Sequence, residues 1–306
     1  MRDELRRGLL APQKTLPSSL LYDALGSVLF EAITLLPEYE VARADLRVLT
    51  AHAREVMPLL GDRVDVVELG PGHGRKARLV LSELQRTQSE VAFVAIDVAA
   101  AALEGCKRQL EDLRGVSVIC VEDTFMAGLR RAPRIAPRRL VLFLGSNLSN
   151  FDRTASLAFL KDVRATMAPG DALLLSADLE KPAAKLLPAY DDALGVTAAF
   201  NRNLLVHLNR EYGANFELDA FVHEVRWDAA ARRIEMHLKA TRACEVSIPA
   251  LELSLRFHAG ETVWTESSHR FNVDELQAWG HEADFTAAAS WVDSAWPLAL
   301  TLFVAR

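Results

Sequence analysis

A buried strand that runs directly into a glycine-rich turn constrains this chain more than any other feature. The run Val64-Asp-Val-Val-Glu-Leu69 is mostly apolar, and Gly70, Gly72 and Gly74 follow it at alternate positions. Glycine lets the backbone turn sharply and approach a ligand closely, because it has no Cβ. A nucleotide-binding α/β fold holds its ligand at this place, outside the carboxyl ends of parallel strands. The sequence therefore predicts a strand–turn–helix binding site, with the helix beginning near Arg75.

The spacing of the turn separates two classes of cofactor site. The segment reads Glu-x-Gly-x-Gly-x-Gly from Glu68 to Gly74, whereas the dinucleotide fingerprint needs another glycine at the position of Arg75. The observed spacing resembles motif I of class I S-adenosylmethionine (SAM) methyltransferases. A glycine-rich turn can also be no more than a strand–helix connection, so this interpretation needs support from the rest of the chain.

A second apolar run supplies part of that support. The run Val91-Ala-Phe-Val-Ala-Ile-Asp97 ends in one carboxylate, 27 residues after Gly70. An ionised carboxylate at the tip of the second strand accepts well from the two vicinal hydroxyls of an adenosine ribose. The alternative is that Asp97 only caps the helix predicted at 99–110, since aspartate is a good N-cap residue. Together with the glycine turn, Asp97 favours ribose binding.

Composition narrows the class of protein. The chain has 306 residues and a net charge of −6, with half of its residues apolar and a quarter charged, as is typical of a globular protein. The pI near 5.8 and the scattered arginines argue against a nucleic-acid partner. No apolar run reaches the roughly 18 residues that cross a bilayer, so we expect no membrane association.

The N-terminal segment and the cysteines point to the cytoplasm. Met1–Arg7 carries acidic residues and has no apolar core, unlike a secretory signal. Cys106, Cys120 and Cys244 stand alone in the sequence and fit no metal-ligand spacing, so we expect no metal. Isolated cysteines suit a reducing compartment. We expect a cytoplasmic monomer that acts on a small molecule.

The first half of the chain alternates between apolar strands and helical stretches. From 64 to about 180 this order indicates a parallel sheet with both faces covered. We predict strands at 64–69, 91–97, 116–121, 139–145 and 172–177, and helices at 75–87, 99–113 and 153–168.

The pattern changes after residue 180 and indicates a second, smaller domain. We predict helical structure at 183–210 and 273–283, antiparallel strands at 220–227, 232–240, 244–248 and 251–257, and a final strand or pair of strands at 296–304. The predicted domains are 43–180 plus 271–306 for the cofactor, and 1–42 plus 181–270 for the substrate.

Several further segments are too specific for a generic α/β protein. They are Leu21-Tyr-Asp-Ala-Leu-Gly-Ser-Val-Leu-Phe30, Leu36-Pro-Glu-Tyr39, Phe143-Leu-Gly-Ser-Asn-Leu-Ser-Asn150, Ala189-Tyr-Asp-Asp-Ala-Leu-Gly-Val-Thr-Ala-Ala-Phe-Asn201, Arg233-Ile-Glu-Met236 and Thr265-Glu-Ser-Ser268. With the glycine turn, they resemble the histidine-specific SAM-dependent methyltransferase family over nearly the whole chain, from about residue 15. The resemblance implies an α/β fold, with a class I, Rossmann-like SAM-methyltransferase sheet and a smaller α+β substrate domain.

The resemblance also implies a set of SAM contacts. They are Tyr22, Gly70, Gly72, Lys76, Asp97, Asp123 and Phe125. Tyr22 would lie over SAM, Lys76 would reach its carboxylate end, and Asp97 would hold the ribose. Asp123 and Phe125 correspond to an Asp-Phe pair that contacts adenine in the family, but one residue separates them here. That departure puts Asp123 in doubt, because a backbone group could make its contact instead.

On the acceptor side, the resemblance implies six residues that bind the substrate. They are Tyr39, Asn150, Tyr190, Met236, Glu266 and Ser268. Asn150 would bind the carboxylate of a histidine substrate and orient its amine, and Tyr39 would approach the imidazole and the amine, so these two form the catalytic pair. Tyr190 would donate a second hydrogen bond to the carboxylate, and Met236 would pack against the ring. Glu266 and Ser268 would bind the two imidazole nitrogens. The chain has Ser149 before the asparagine, where the family more often has glycine.

The implied activity is methyl transfer from SAM to the α-amine of L-histidine, carried out three times to give hercynine in ergothioneine biosynthesis. Without the motifs, the tyrosines would be interpreted as packing residues, Met236 as core and Glu266 as a solvent-facing strand residue. One alternative function is N-methylation of another aromatic amino acid such as tryptophan. The other is a SAM-binding regulatory protein without turnover.

Overall fold

The computed structural model describes residues 1–61 and 63–306 of the chain. These residues form two compact units, each built from two separate stretches of sequence. The first unit comprises Met1–Glu40 and Lys181–His269, and the second unit comprises Val41–Glu180 and Arg270–Arg306.

Helices and strands make up most of both units. The helices, in chain order, are α1 (Arg2–Leu10), α2 (Ala24–Leu35), α3 (Glu40–Val56), α4 (Arg75–Leu84), α5 (Ala100–Leu110), α6 (Phe125–Arg131), α7 (Arg153–Ala165), α8 (Ala183–Leu186), α9 (Val196–Tyr212) and α10 (Val273–Glu282). The strands are β1 (Lys14–Thr15), β2 (Val64–Leu69), β3 (Val91–Asp97), β4 (Val116–Glu122), β5 (Arg138–Phe143), β6 (Ala172–Asp178), β7 (Phe221–Asp228), β8 (Arg233–Ala240), β9 (Cys244–Ile248), β10 (Leu253–Phe257), β11 (Thr262–His269), β12 (Phe285–Val292) and β13 (Leu298–Ala305). None of the helices in this described part of the chain is both long and apolar enough to cross a membrane.

The second unit is built on a seven-stranded sheet in the order β12-β13-β6-β5-β2-β3-β4. The strands from β6 to β4 run parallel, whereas β13 lies antiparallel between β6 and β12. Both β2 and β6 are buried along their whole length, which explains why their sequences are mostly apolar. The predicted class I methyltransferase sheet is confirmed.

Helix α7 illustrates how the sequence covers this sheet. The Asp152 carboxylate accepts a hydrogen bond from the backbone N–H of Ala155, 2.8 Å away, and so caps the helix. Phe159 and Val163, four residues apart on one helical face, are buried. The Phe159 ring lies 4.6 Å from that of Phe143 on β5. Burying each large apolar side chain stabilises the fold by about 1.5–3 kcal/mol.

The first unit contains a different kind of sheet. Its four strands lie in the order β1-β11-β8-β7. The strands β11, β8 and β7 are antiparallel neighbours, and β1 runs parallel to β11. Strands β9 and β10 form a separate antiparallel pair, and α2 packs against α9. This mixture of helices and antiparallel strands is an α+β architecture.

The prediction of one helical stretch over 183–210 was wrong in its middle. Helix α8 ends at Leu186, a 3₁₀ helix follows at Leu187–Ala189, and α9 begins only at Val196. Asp192 starts this second helix, because its carboxylate accepts the backbone N–H groups of Val196 and Thr197 at 2.9 and 2.7 Å. A local capping group therefore divides a region whose apolar spacing alone looks continuous.

The sequence patterns did not predict the long strands β11 and β12, nor the two-residue strand β1. In β11 the pairing register with β8 shifts between Trp264 and Glu266, and such a bulge interrupts the alternation by which a strand is recognised. Strand β12 contains the run Ala287-Ala-Ala289, and alanine favours helices over strands. Strand β12 forms through its pairing with β13, which no local pattern reports.

Candidate active site

The glycine turn lies at the carboxyl end of β2 and leads directly into α4. Gly70, Gly72 and Gly74 all have positive φ angles, of 72°, 53° and 74°. A Cβ at Gly74 would lie 2.8 Å from the Sγ atom of Cys106. Glycine suits all three positions because other side chains are strained at positive φ, and at Gly74 the space is also filled. The turn therefore presents bare backbone and the first N–H groups of α4, which suit an anionic group.

Asp97 lies beside this turn, at the end of the neighbouring strand β3. Its carboxylate accepts the backbone N–H of Ala99 at 2.9 Å. Burial raises the pKa of Asp97, while the backbone N–H groups of Ala99, Val98 and Gly72 act in the opposite direction. The N-cap residue of α5 is Ala99, which has no side-chain cap. The hydrogen bond from the Gly72 backbone joins Asp97 to the turn.

Phe125 and Asp123 follow β4 but have different surroundings. The Phe125 ring lies 3.4 Å from the position of a Cβ at Gly70 and packs edge-on against Phe143 with ring centroids 5.4 Å apart. The Asp123 carboxylate accepts the backbone N–H of Thr124 and is 2.5 Å from a guanidinium nitrogen of Arg131. The structure thus brings Phe125 to the glycine turn and pairs Asp123 with a cation.

Lys76, in the first turn of α4, is held by a buried acid. Its Nζ atom is 2.9 Å from Oδ2 of Asp45, which lies on α3 and is fully buried. The same oxygen accepts the backbone N–H of Gly145 at 2.7 Å. Asp45 therefore fixes both the lysine and the loop that follows β5.

Glu68 is a further candidate that the sequence patterns placed at the end of β2 without giving it a role. It is fully buried, and neither of its carboxylate oxygens has a hydrogen-bond partner among the described residues. Burial raises its pKa to about 7; Lys76 lowers that pKa, and Asp45 and Asp97 raise it. A buried acid without a partner costs free energy unless a ligand supplies one. The detectable signal was a glutamate near the carboxyl end of a mostly apolar strand.

Asn150 ends the 3₁₀ helix Asn147–Asn150, which follows β5. Its side chain is exposed, whereas Ser149 before it is buried, with Oγ 2.6 Å from that of Ser146. Because β5 and β2 are parallel neighbours, Asn150 and the glycine turn both follow the carboxyl ends of adjacent strands. The structure places them at the same edge of the sheet.

In the first unit, the three predicted tyrosines belong to one chain of aromatic contacts. The ring of Tyr22 lies 5.5 Å from that of Phe30 and 5.6 Å from that of Phe200. Phe30 is 6.2 Å from Tyr39, and Tyr39 is 6.4 Å from Tyr190. Edge-to-face pairs at these distances are favourable. Phe30 and Phe200 are therefore additional candidates, and both lie within the segments that carry the family resemblance.

The other acceptor candidates lie on β8 and β11. Met236 is directly opposite Glu266 in the register of these strands, and side chains at opposed positions contact each other on one face. Ser268 is two residues further along β11, so it lies on the same face as Glu266. Its Oγ atom is 2.7 Å from the hydroxyl of Tyr190. Met236 is buried, and Glu266 is partly exposed.

Each unit thus carries one kind of chemistry. The second unit combines bare backbone, a cation at Lys76 and acids at Glu68 and Asp97, which could hold an amino-acid group and a ribose. The first unit combines an aromatic cluster with an adjacent acid and hydroxyl at Glu266 and Ser268, which could hold a ring with one donor and one acceptor. The predicted cofactor residue Tyr22 lies in the first unit and the predicted acceptor residue Asn150 in the second.

Comparisons with known proteins agree with this chemistry. The family described as "histidine-specific methyltransferase, SAM-dependent" matches residues 1–305. The histidine N-alpha-methyltransferase of Mycolicibacterium smegmatis is 39% identical over 99% of this chain and 94% of its own length. Ergothioneine biosynthesis protein 1 of Neurospora crassa is 27% identical over 91% of this chain, which spans 32% of that longer protein. A 4-dimethylallyltryptophan N-methyltransferase of Penicillium roqueforti is 24% identical over 94% of this chain and 89% of its own length.

Proposed function

Since the chain belongs to the histidine-specific, SAM-dependent methyltransferase family, we propose that it transfers methyl groups from SAM to the α-amino group of L-histidine. We propose three successive transfers, which give hercynine, the trimethylated product that leads to ergothioneine. The choice of histidine as the acceptor rests on one group of neighbouring side chains: Met236, Glu266, Ser268 and Tyr190. This group offers an acid and a hydroxyl beside apolar surface, as an imidazole requires.

The second unit fits the amino-acid end of SAM. Lys76 would hold the carboxylate, and the buried carboxylate of Glu68 would accept the ammonium group. Gly70 and Gly72 would let the backbone approach, and Asp97 would accept from the ribose hydroxyls. The support for this assignment is the partnerless, fully buried state of Glu68 next to Lys76.

The proposed cofactor site also includes two aromatic side chains and one acid that already has a cation as its partner. Phe125 would pack against adenine, since its ring already lies beside Gly70. We assign Asp123 a lesser part, because Arg131 engages its carboxylate. Tyr22 would lie over SAM, supported by the family resemblance and by its contacts with Phe30 and Phe200.

The acceptor residues would bind histidine at both of its ends. Asn150 and Tyr190 would donate to the carboxylate, and Asn150 and Tyr39 would orient the amine. Glu266 would accept from one imidazole nitrogen and Ser268 would bind the other. An amino acid with an apolar side chain would leave both groups unpaired, at a cost of about 1–3 kcal/mol each.

Positioning is the main catalytic task of these residues. When bound, SAM supplies a methyl group on a sulfonium, and its transfer discharges that positive centre. The protein has to hold the lone pair of a neutral amine in line with the bond that breaks, which can supply several kcal/mol. The Tyr39 hydroxyl would orient the amine, and the proton leaves through this oxygen or through water. The aromatic faces around Tyr39 would stabilise the growing methylated cation.

Incubation of the pure protein with SAM and each of the twenty amino acids, followed by mass spectrometry, tests the proposal. We expect histidine alone to be consumed, with one, two and then three methyl groups on the α-nitrogen located by fragmentation. Methylation of tryptophan instead would favour the activity named for the Penicillium relative. Methylation on an imidazole nitrogen would contradict the proposed orientation.

We further propose that the second unit is the SAM-binding domain, that the first unit is the substrate domain, and that the chain works as a monomer in the cytoplasm. The isolated, free cysteines Cys106, Cys120 and Cys244 support a reducing compartment. Light scattering after size-exclusion chromatography tests the monomer, which a mass of two chains would contradict.

A further inference from the structure

Asn201 is a buried polar side chain that none of the assigned roles explains. It lies on α9, at the end of the family segment 189–201, and its side chain has no exposed surface. Its Nδ2 atom is 2.9 Å from Nδ1 of His223 and 3.0 Å from the backbone oxygen of His237. Its Oδ1 atom accepts from the Thr265 hydroxyl at 2.7 Å. One amide therefore joins α9 to β7, β8 and β11.

The bond to Thr265 reaches the bulge that precedes Glu266. The register of β11 against β8 shifts between Trp264 and Glu266, with Thr265 as the extra residue. The Thr265 hydroxyl is buried and lies 2.9 Å from the backbone oxygen of Met236. A bulge changes the direction of the side chains that follow it. Asn201 thus holds the point of β11 that directs Glu266.

The bond to His223 leads to Tyr190. Nε2 of His223 is 2.8 Å from the backbone oxygen of Tyr190. The contact with the His237 carbonyl, which can only accept, fixes the Asn201 amide with its NH₂ toward His223. Nδ1 of His223 must then accept, so Nε2 carries the hydrogen and donates to Tyr190. The geometry requires the neutral form of His223, with its hydrogen on Nε2.

We propose that Asn201 and neutral His223 are positioning residues for the acceptor amino acid, an inference that rests on the proposed function. Through Thr265 they direct the imidazole-binding side chain of Glu266, and through the Tyr190 backbone they hold the carboxylate-binding hydroxyl. The Asn201 amide thereby sets the distance between the group that binds the imidazole and the group that binds the carboxylate.

Protonation of His223 breaks this arrangement. Its Nδ1 would become a donor facing the Nδ2 donor of Asn201, and their hydrogen bond would be lost. Burial lowers the pKa of His223; a hydrogen bond to the Tyr190 backbone and the nearby charges of Asp191 and Asp192 act in the opposite direction. The net shift is downward from the ordinary value for histidine, so we expect acceptor binding to weaken on the acid side of neutrality.

Two substitutions of His223 separate its two hydrogen bonds. His223→Asn places an amide oxygen near Nδ1 but removes the donor to Tyr190, whereas His223→Gln keeps a donor near Nε2 and loses the acceptor for Asn201. We expect His223→Asn to raise KM for histidine about tenfold, as for one lost buried hydrogen bond, and His223→Gln to raise it about threefold. The Kd for SAM should stay within about twofold in both, in calorimetric titrations. His258→Asn, which removes an exposed histidine of the same unit, is the matched control and should change neither constant.

The pH profile distinguishes positioning from a general loss of stability. Between about pH 5 and about pH 8, titration of the substrate imidazole contributes equally to every variant. Wild type and His258→Asn should show an additional acid-side rise of KM that both His223 variants lack. Asn201→Asp should remove the acid-side rise and raise KM on the alkaline side instead, because a carboxylate facing Nδ1 accepts from the charged ring, raises its pKa and loses this hydrogen bond when the ring is neutral. Equal losses of SAM and histidine binding, or identical pH profiles, would overturn the proposal.

A nitrogen-15 NMR spectrum of the histidine rings provides a readout that does not depend on the acceptor. It should assign the hydrogen of His223 to Nε2 in the free protein at neutral pH. A hydrogen on Nδ1 would refute the network even if histidine is the substrate. If instead wild type does not methylate histidine while the tautomer is as expected, the proposed function fails and the network stands.

Discussion

The two units build their candidate sites in different ways. In the second unit, Gly70, Gly72 and Asp97 come from one continuous strand–turn–helix–strand segment, and the backbone supplies most of the geometry. In the first unit, Tyr39 and Tyr190 come from distant segments and are held by side-chain contacts. A site made by backbone depends on a few glycines, whereas a site made by side chains depends on every partner. We therefore expect SAM affinity and acceptor affinity to respond to different substitutions.

Asn150 gives the largest expected effect, because it is an acceptor candidate on the unit that carries the cofactor candidates. Asn150→Ala should lower kcat by roughly 100-fold, the cost of misplacing a reacting group by about 1 Å. The Kd for SAM should change by less than about twofold, since the glycine turn is untouched. Initial rates and calorimetric titration measure the two quantities. If SAM binding collapses while histidine binding survives, Asn150 has been assigned to the wrong ligand.

Asp97 tests the contribution of a side chain to the site that is built mostly by backbone. Asp97→Ala should weaken SAM binding by roughly 1.5–3 kcal/mol, or about 10- to 100-fold in Kd, because the ribose hydroxyls lose a charged acceptor. Asp123→Ala is the matched control, since Arg131 already engages that carboxylate, and its effect should be several-fold smaller. An unchanged Kd in Asp97→Ala, with the fold intact by circular dichroism, would remove Asp97 from the site.

Glu266 and Met236 test whether the side-chain-made site sets specificity. Glu266→Ala should lower kcat/KM for histidine by about 5- to 150-fold, which corresponds to a loss of about 1–3 kcal/mol. It should also partly relieve discrimination against tryptophan. Met236→Val should enlarge the same cavity, and the two changes should couple because the side chains are opposed on β11 and β8. Measuring kcat/KM for both amino acids in the four proteins tests this. An unchanged histidine-to-tryptophan ratio in Glu266→Ala would mean that the imidazole is recognised elsewhere.

Glu68 is tested through the stability of the free protein and not through its kinetics. Burial raises its pKa from 4.5 to about 7, so the folded state holds this proton more tightly than the unfolded chain. The resulting stabilisation is complete below about pH 4.5 and is lost as the pH rises through about 7. Glu68→Gln should therefore raise the free energy of unfolding by about 2–3 kcal/mol at about pH 8, and by only about 1 kcal/mol at about pH 5.

Chemical denaturation at the two pH values measures this difference. With saturating SAM the order should reverse at about pH 8, because the proposed ammonium group stabilises the ionised carboxylate. A wild-type protein that is more stable than Glu68→Gln at both pH values, without ligand, would show that Glu68 has a partner in the free protein.

The contrast between a site built by backbone and a site built by side chains also explains which features the sequence could predict. The strands from β2 to β6 and the turn at Gly70 were predicted correctly, because buried parallel strands and glycine spacing are local signals. The bulge at Thr265 was not, because it depends on Asn201, a residue 64 positions earlier. Glu266 and Tyr190 entered only through the family resemblance, since spacing alone does not distinguish them from packing residues. Nothing local indicates that Glu68 lacks a partner, because that depends on α3 and α4.

Strand β13 has a consequence for how the chain is made. Leu298 on β13 pairs with Asp178 on β6, 120 positions earlier, and the first unit's residues 181–269 are synthesised in between. At roughly 5–20 residues per second, the ribosome leaves β6 without this neighbour for about 6–24 seconds. During that interval β6, buried on both faces in the finished sheet, is an edge strand that can pair with other chains. The growing chain is therefore more exposed to aggregation than the finished protein.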